Sequence, residues 1–244
     1  MTVFLSAHFD SATSGTLNAT TEPGISSTSN TDPTYSGVDA RYGAAAALIP
    51  LGLSSLMLQN LPTQSGSLYW RVYFKMKSVN SSLVTIAAAR DSASANCASI
   101  AVNAAGSIVL RDGNTGISTT SYSMNPSNSW VRLEWFVNRS GNTQTLSVFY
   151  GANIEGTVAN ETLTATCSAG LSLLNRIVFG AVGSTTGAQF AYDEAVLADA
   201  YVGAFASASY TVTVWSGSSE LPTSSVTVWD GTAEVPASLA GVQP

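Results

Sequence analysis

The clearest alternation of apolar and polar positions in the chain is Ser67-Leu-Tyr-Trp-Arg-Val-Tyr-Phe-Lys-Met-Lys77. Leu68, Trp70, Val72 and Phe74 fall on one face, and Tyr69, Arg71, Tyr73 and Lys75 on the other. Successive side chains of a strand point to opposite faces, so this segment predicts an amphipathic strand. Trp130 to Asn138, a polar turn at Arg139-Ser-Gly-Asn142, and Gln144 to Tyr150 predict a hairpin. Further strands are expected at Val3–Asp10, within Tyr35–Leu48, and at Leu83–Arg90, Ala98–Asn103, Ser107–Asp112, Arg176–Val182 and Gln189–Leu197. Asn103–Gly106 and Asp112–Asn114 are turns, and Ser11–Pro33 reads as surface loop with at most one short strand. About ten strands with no convincing helix predict an all-β, two-sheet antiparallel sandwich, because each amphipathic sheet must bury its apolar face against another.

The last forty residues follow a different rule. Thr211-Val-Thr-Val-Trp-Ser-Gly-Ser-Ser-Glu-Leu-Pro222 returns fourteen positions later as Ser225-Val-Thr-Val-Trp-Asp-Gly-Thr-Ala-Glu-Val-Pro236. Each copy reads as a tight β-hairpin with a Ser-Gly or Asp-Gly turn. The chain is therefore divided into a sandwich over 1–205 and a tandem hairpin appendage over 206–244, with the break among the small residues Ala204–Ser209. A lone hairpin is marginal in water, so Val212, Val214, Trp215, Val226, Val228 and Trp229 are expected to dock on another surface. A second copy of the chain is the favoured surface, in a homo-oligomer with a trimer preferred, and folding back on the sandwich is the alternative.

Charged residues make up only 10% of the chain and the formal charge is −6, with Lys75 and Lys77 the sole lysines. No basic cluster is present to neutralise phosphates, which argues against nucleic-acid binding. Ala44–Leu61 is the nearest approach to a membrane span, but Pro50, Gly52, Ser54, Ser55, Gln59 and Asn60 interrupt it, so buried strand and loop are expected and no membrane insertion. Met1–His8 has neither a basic stretch nor an adequate apolar core and is not read as a signal peptide. Cys97 and Cys167 have no metal-ligand spacing. They are read as buried thiols, with one disulfide as the alternative.

His8, the single histidine, precedes Phe9-Asp10 without any Gly-x-Ser-x-Gly context, and is read as a strand histidine rather than a catalytic base. Glu134 sits mid-strand between Trp130 and Trp135, but its alternate neighbours Arg132 and Phe136 supply no second carboxylate, so a salt-bridged or solvent-facing role is expected. Tyr69, Tyr73 and Trp135 suit either a sugar-stacking platform or the core.

Trp130-Val-Arg-Leu-Glu134 followed by Leu146-Ser-Val-Phe-Tyr-Gly151, bracketed by Phe9-Asp10 and Tyr192-Asp193-Glu194, resembles the laminin-G or concanavalin-A-like jelly roll over residues 1–200. Tyr150 stands where that superfamily often has Asp before the turn glycine. The resemblance implies a jelly roll, and it raises a structural calcium ion held by Asp10, Asp193 and Glu194, although ordinary strand-end acids are the preferred reading and no cofactor is expected. A hydrolase of this fold would need paired carboxylates such as Glu-x-Asp-x-Glu on one strand, and no such string occurs. A jelly roll followed by Val-Trp-Asp-Gly hairpins also resembles minor tail and other virion proteins of actinobacterial bacteriophages. That likeness implies a non-enzymatic structural protein of the virion, tail before capsid, partnered by itself and other virion proteins. The alternative is a carbohydrate-binding module gripping host-surface glycan.

Overall fold

The computed structural model describes residues 2–22, 25–30, 32–49, 55–61, 66–78, 82–124, 129–168, 170–182, 188–204, 226–229 and 234–237. The chain divides into two units, Met1–Ala204 and Phe205–Pro244. In the first, the strands are β1 (Val3–Ala7), β2 (Ser14–Thr16), β3 (Ser27–Asn30), β4 (Thr34–Ser36), β5 (Ala46–Ile49), β6 (Ser55–Asn60), β7 (Ser67–Ser78), β8 (Val84–Arg90), β9 (Asn96–Val102), β10 (Ser107–Asp112), β11 (Thr115–Ser123), β12 (Trp130–Asn138), β13 (Thr143–Tyr150), β14 (Glu161–Thr166), β15 (Arg176–Val182) and β16 (Gln189–Ala198). Single 3-10 turns at Gly151–Asn153 and Leu171–Leu173 are the only helical elements among the described residues.

Two antiparallel sheets result. The nine-stranded sheet runs β14-β13-β12-β7-β16-β5-β4-β2, with β1 also on β16, and the seven-stranded sheet runs β11-β10-β9-β8-β15-β6-β3. This is a jelly-roll sandwich. β16 carries two neighbours on one edge, because β5 pairs Phe190–Tyr192 while β1 pairs Ala195–Ala198. A register shift against β7 between Asp193 and Val196, with Glu194 at φ 50°, separates the two pairings.

The expected faces are found. Leu68, Trp70, Val72, Phe74 and Met76 of β7 and Val131, Leu133, Trp135 and Val137 of β12 are buried in the core. Trp70 meets Trp135 edge-on at 6.2 Å and Phe179 of the opposite sheet at 5.8 Å. Two buried polar groups cross this core with their hydrogen bonds satisfied. Tyr192 Oη donates to the carbonyls of Ile86 and Gly180 at 3.1 and 2.9 Å, and Gln144 accepts from Trp135 Nε1 at 2.9 Å while donating to the Arg111 carbonyl at 2.8 Å.

The sequence reading also missed elements. β11 and β14 were not expected, and they are the edges of the two sheets. Their sequences, Thr-Gly-Ile-Ser-Thr-Thr-Ser-Tyr-Ser and Glu-Thr-Leu-Thr-Ala-Thr, are rich in hydroxyls, because an edge strand buries little. Ser11–Pro33 holds two short strands rather than at most one, and the extended stretch read over Tyr35–Leu48 is β4 and β5 separated by a loop. The apolar run Ala44–Leu61 supplies β5 to one sheet and β6 to the other. Among the described residues no helix is long and apolar enough to cross a membrane.

In the second unit, β17 (Val226–Trp229) pairs antiparallel with β18 (Glu234–Ala237), placing Val228 opposite Val235 and Trp229 opposite Glu234. Of the six expected docking residues, Val226, Val228 and Trp229 fall on β17. Val212, Val214 and Trp215 lie outside the described residues.

Candidate site on the outer face of the nine-stranded sheet

The residues that alternate with the core on β7, β12 and β13 form the outer face of the nine-stranded sheet. Register places Tyr69, Phe136 and Thr145 in one row across the three strands, and Arg71, Glu134 and Ser147 in the next. After β16 the chain turns back over this face, where Arg71 Nη1 holds the Gly203 carbonyl at 3.2 Å and Nη2 holds the Glu194 carbonyl at 3.3 Å. Tyr201, Val202 and Gly203 thereby become the wall of a groove of about 260 Å³ whose floor is Tyr69, Phe136, Glu134, Thr145 and Ser147. Tyr69 lies 4.8 Å from Phe136 and 6.3 Å from Tyr201, which is 58% exposed. Burial and the neighbouring Glu134 carboxylate push the Tyr201 phenol above its ordinary value, so it stays a neutral donor.

Beside the groove lies a denser polar cluster. Arg132 is fully buried, stacks 3.7 Å over the Phe149 ring, and donates to the Ile154 and Gly156 carbonyls at 2.6 and 2.7 Å. Its Nε faces Glu134 at 3.0 Å. Glu155, on the turn that Arg132 holds, accepts from Tyr73 Oη at 2.5 Å, from Arg41 Nη2 at 3.0 Å and from Tyr42 Oη, with Arg132 Nη1 3.7 Å away. Burial pushes the Glu155 carboxyl up, but the bonds from Tyr42, Tyr73 and Arg41 outweigh it and hold it below the usual range. Asp193 is buried behind this cluster and accepts the backbone N–H groups of Arg41, Tyr42 and Glu194 at 2.7, 2.9 and 2.9 Å. Burial nevertheless pushes it up to about 7.

Asp10, Asp193 and Glu194, the calcium candidates, do not form a cation cage. Asp10 Oδ1 accepts the N–H groups of Ala44 and Ala45 at 2.6 and 3.1 Å, Asp193 holds Arg41 and Tyr42, and Glu194 pairs with His8 Nδ1 at 2.6 Å. Hydrogen donors thus point at each carboxylate where a cation would need bare oxygen. Among the described residues no three His, Cys, Asp or Glu side chains are grouped to hold a metal. His8 is half-exposed, and its hydrogen bond with Glu194 outweighs desolvation and raises it above its ordinary value. Cys97 and Cys167 are free and buried.

Of the three aromatic residues read as either platform or core, Trp135 belongs to the core though it also borders the groove, Tyr73 is buried beneath Glu155, and Tyr69 is part of the groove floor. Glu134 is salt-bridged, and its partner is Arg132 on the same face. Tyr201 and Glu155 went unmarked in the sequence reading. The local signals were an aromatic residue just beyond the last patterned strand, and a carboxylate between Asn153 and Gly156 in a turn.

No protein-family model matches the sequence, and no curated protein sequence does. Solved structures are similar in fold. The binding domain of botulinum neurotoxin DC in complex with SialylT aligns with a TM-score of 0.52 at 10% identity over 80% of this chain and 47% of that one, so this chain spans just under half of it. The cellulose induced protein Cip1 aligns with a TM-score of 0.50 at 13% identity, over 70% of this chain and 87% of its own. A lectin from Bauhinia forficata in complex with GalNAc aligns at 0.47 and 11% identity, over 63% and 87%. Identities this low establish the fold alone. It is the antiparallel jelly-roll sandwich.

Proposed function

We propose that the protein is a glycan-binding module and that the groove walled by Tyr201–Gly203 is its site. The observation that carries this reading is the aromatic floor. Tyr69 and Phe136 on the sheet face and Tyr201 on the wall beside them come together and line an open groove rather than the core. Aromatic rings give the C–H face of a pyranose an apolar surface to pack on. Glu134, Thr145 and Ser147 beside them offer hydrogen bonds to sugar hydroxyls. The similar structures include a toxin binding domain complexed with SialylT, which accords with this reading.

Binding is favoured over hydrolysis by the carboxylate count. Glycoside hydrolysis uses two carboxyl groups flanking the bond to be cut. Glu134 is the one carboxylate lining the groove, and Arg132 already engages it. A shallow site gains most from repetition, so the proposal includes the C-terminal unit as the element that brings copies together through the residues around Val226, Val228 and Trp229. Display on a virion, expected from resemblance alone, draws no support from the fold or from the similar structures.

The test is a glycan array on the full chain, followed by calorimetry with any glycan found. Tyr69→Ala, Phe136→Ala and Tyr201→Ala should each weaken binding about tenfold or more, about 1.4 kcal/mol, with the sandwich still folded. Undiminished binding by the triple variant overturns the assignment.

A further inference from the structure

The backbone segments that carry the donors around Glu155 are held in place by contacts that do not involve Glu155. The backbone N–H groups of Arg41 and Tyr42 are fixed by Asp193. Tyr73 sits mid-strand in β7, paired on both sides with Arg132 of β12 and Asp193 of β16. Arg132 is clamped between the Phe149 ring and two carbonyls. The turn that carries Glu155 is likewise secured without its carboxylate, through Arg132 to the Ile154 and Gly156 carbonyls and through Asn153 Nδ2 to the Val158 carbonyl at 2.6 Å. Two guanidinium groups and two phenols from three separate parts of the chain thus converge on one spot, carried on backbone that is fixed without the carboxylate and packed on one another through Tyr42, which lies 5.2 Å from the Tyr73 ring and under the Arg41 guanidinium. A donor set that needs no rearrangement to receive an anion is the costly part of a binding site already made.

The occupant is less secure than its donors. The Glu155 side chain is 38% exposed, whereas Arg132 and Tyr73 beneath it are fully buried. We propose that Arg41, Tyr42, Tyr73 and Arg132 form a carboxylate-recognition site, filled from within by Glu155, which accepts the carboxylate of a small acidic ligand, a sugar acid being the class tested, when Glu155 swings outward. The planar guanidinium of Arg41 supplies the charge and the two phenols fix the orientation. Glu155 acts as a tethered competitor, so the apparent affinity of the intact chain is reduced by the fraction of time the site stands open. This site is separate from the aromatic groove and does not depend on the glycan reading.

The experiment is calorimetric titration of the full chain with D-glucuronate, with methyl glucoside as the neutral control and acetate as the bare carboxylate. Glu155→Ala should bind glucuronate saturably, at least about tenfold more tightly than the unaltered chain. Arg41→Ala in the Glu155→Ala background should abolish that binding, and Phe136→Ala in the same background should leave it intact, which separates this site from the groove. Acetate binding as tightly as glucuronate keeps the carboxylate site and removes the sugar contact. Absence of saturable binding by Glu155→Ala, equal affinity in the unaltered chain, or equal binding of methyl glucoside overturns the proposal. If Glu155→Ala fails to fold, Glu155→Gln replaces the charged competitor with a neutral one of the same shape and must still bind more tightly than the unaltered chain.

Discussion

Replacing Arg132 by methionine keeps a flexible stem in the same space and removes the guanidinium, which makes the charge the variable. The guanidinium is fully buried and serves four partners: the carbonyls of Ile154 and Gly156 at 2.6 and 2.7 Å, Glu134 at 3.0 Å and the face of Phe149 at 3.7 Å. Its loss strands the two carbonyls and leaves Glu134, itself nearly buried, without its partner cation. Breaking a buried ion pair from one side costs about 3–5 kcal/mol, and the carbonyls belong to the same network, so the total should stay near about 4 kcal/mol rather than add. Arg132→Lys keeps the charge without the planar fork and should lose about half as much, about 2 kcal/mol. The assay is urea unfolding followed by tryptophan fluorescence, with the slope against urea checked for constancy so that the midpoint reports stability. Glu134→Gln in the Arg132→Met background should recover part of the loss, because it removes the stranded charge. A loss below about 1 kcal/mol for Arg132→Met, or a double variant worse than the sum of the singles, would show that the guanidinium does not hold this face together.

Two further outcomes follow from the same geometry. Burial pushes the carboxyl of Asp193 up to about 7 from its ordinary 3.8, so the folded state retains a proton that the unfolded state releases; the stability from this group is full below about pH 4 and is lost as pH rises through 7. Asp193→Asn cannot ionise, so the difference in urea midpoint between it and the unaltered chain should shift steadily in favour of the variant from pH 4 to 8, and a pH-independent difference would refute the assignment. Gly43 has φ +61°, and a Cβ there would stand 1.9 Å from Asp10 Oδ2, whose carboxyl caps the N–H groups of Ala44 and Ala45. Gly43→Ala should therefore cost about 2 kcal/mol in the same unfolding assay, and an unchanged midpoint would show that the loop yields freely.

The strands that build the two sheet centres were legible because burial writes a period of two into them. On β7 and β12 the alternation alone separates Trp70, Val72, Leu133 and Trp135 from Tyr69, Arg71, Glu134 and Phe136. β11 and β14 lack that mark, since an edge strand such as Thr162-Leu-Thr-Ala-Thr166 hides only Leu163 and Ala165 and reads as one more Ser/Thr-rich loop. The bulge in β16 was visible only as an acidic pair. Asp193 and Glu194 look like metal ligands in sequence because nothing local reveals that Arg41, Tyr42 and His8, far away in the chain, would bring them hydrogen donors.

The same limit holds on the outer face. Alternation puts Arg71 and Arg132 on the face opposite the core, and there they are 4% and 0% exposed. Period tells which face a side chain takes, and only tertiary structure tells what lies over that face. Arg132 is covered by the turn around Glu155, and Arg71 by the returning segment at Gly203. Each arginine donates to a carbonyl of the segment above it, which offsets part of the cost of burying a guanidinium. Next to the Arg71 row, on the side away from Arg132, lie Tyr69, Phe136 and Thr145, side chains with no charge to bury, bordered by Tyr201. The groove is therefore the stretch of this face that neither arginine ties beneath a covering turn, and its aromatic floor, packed ring against ring and walled by Tyr201, stays open on its remaining side.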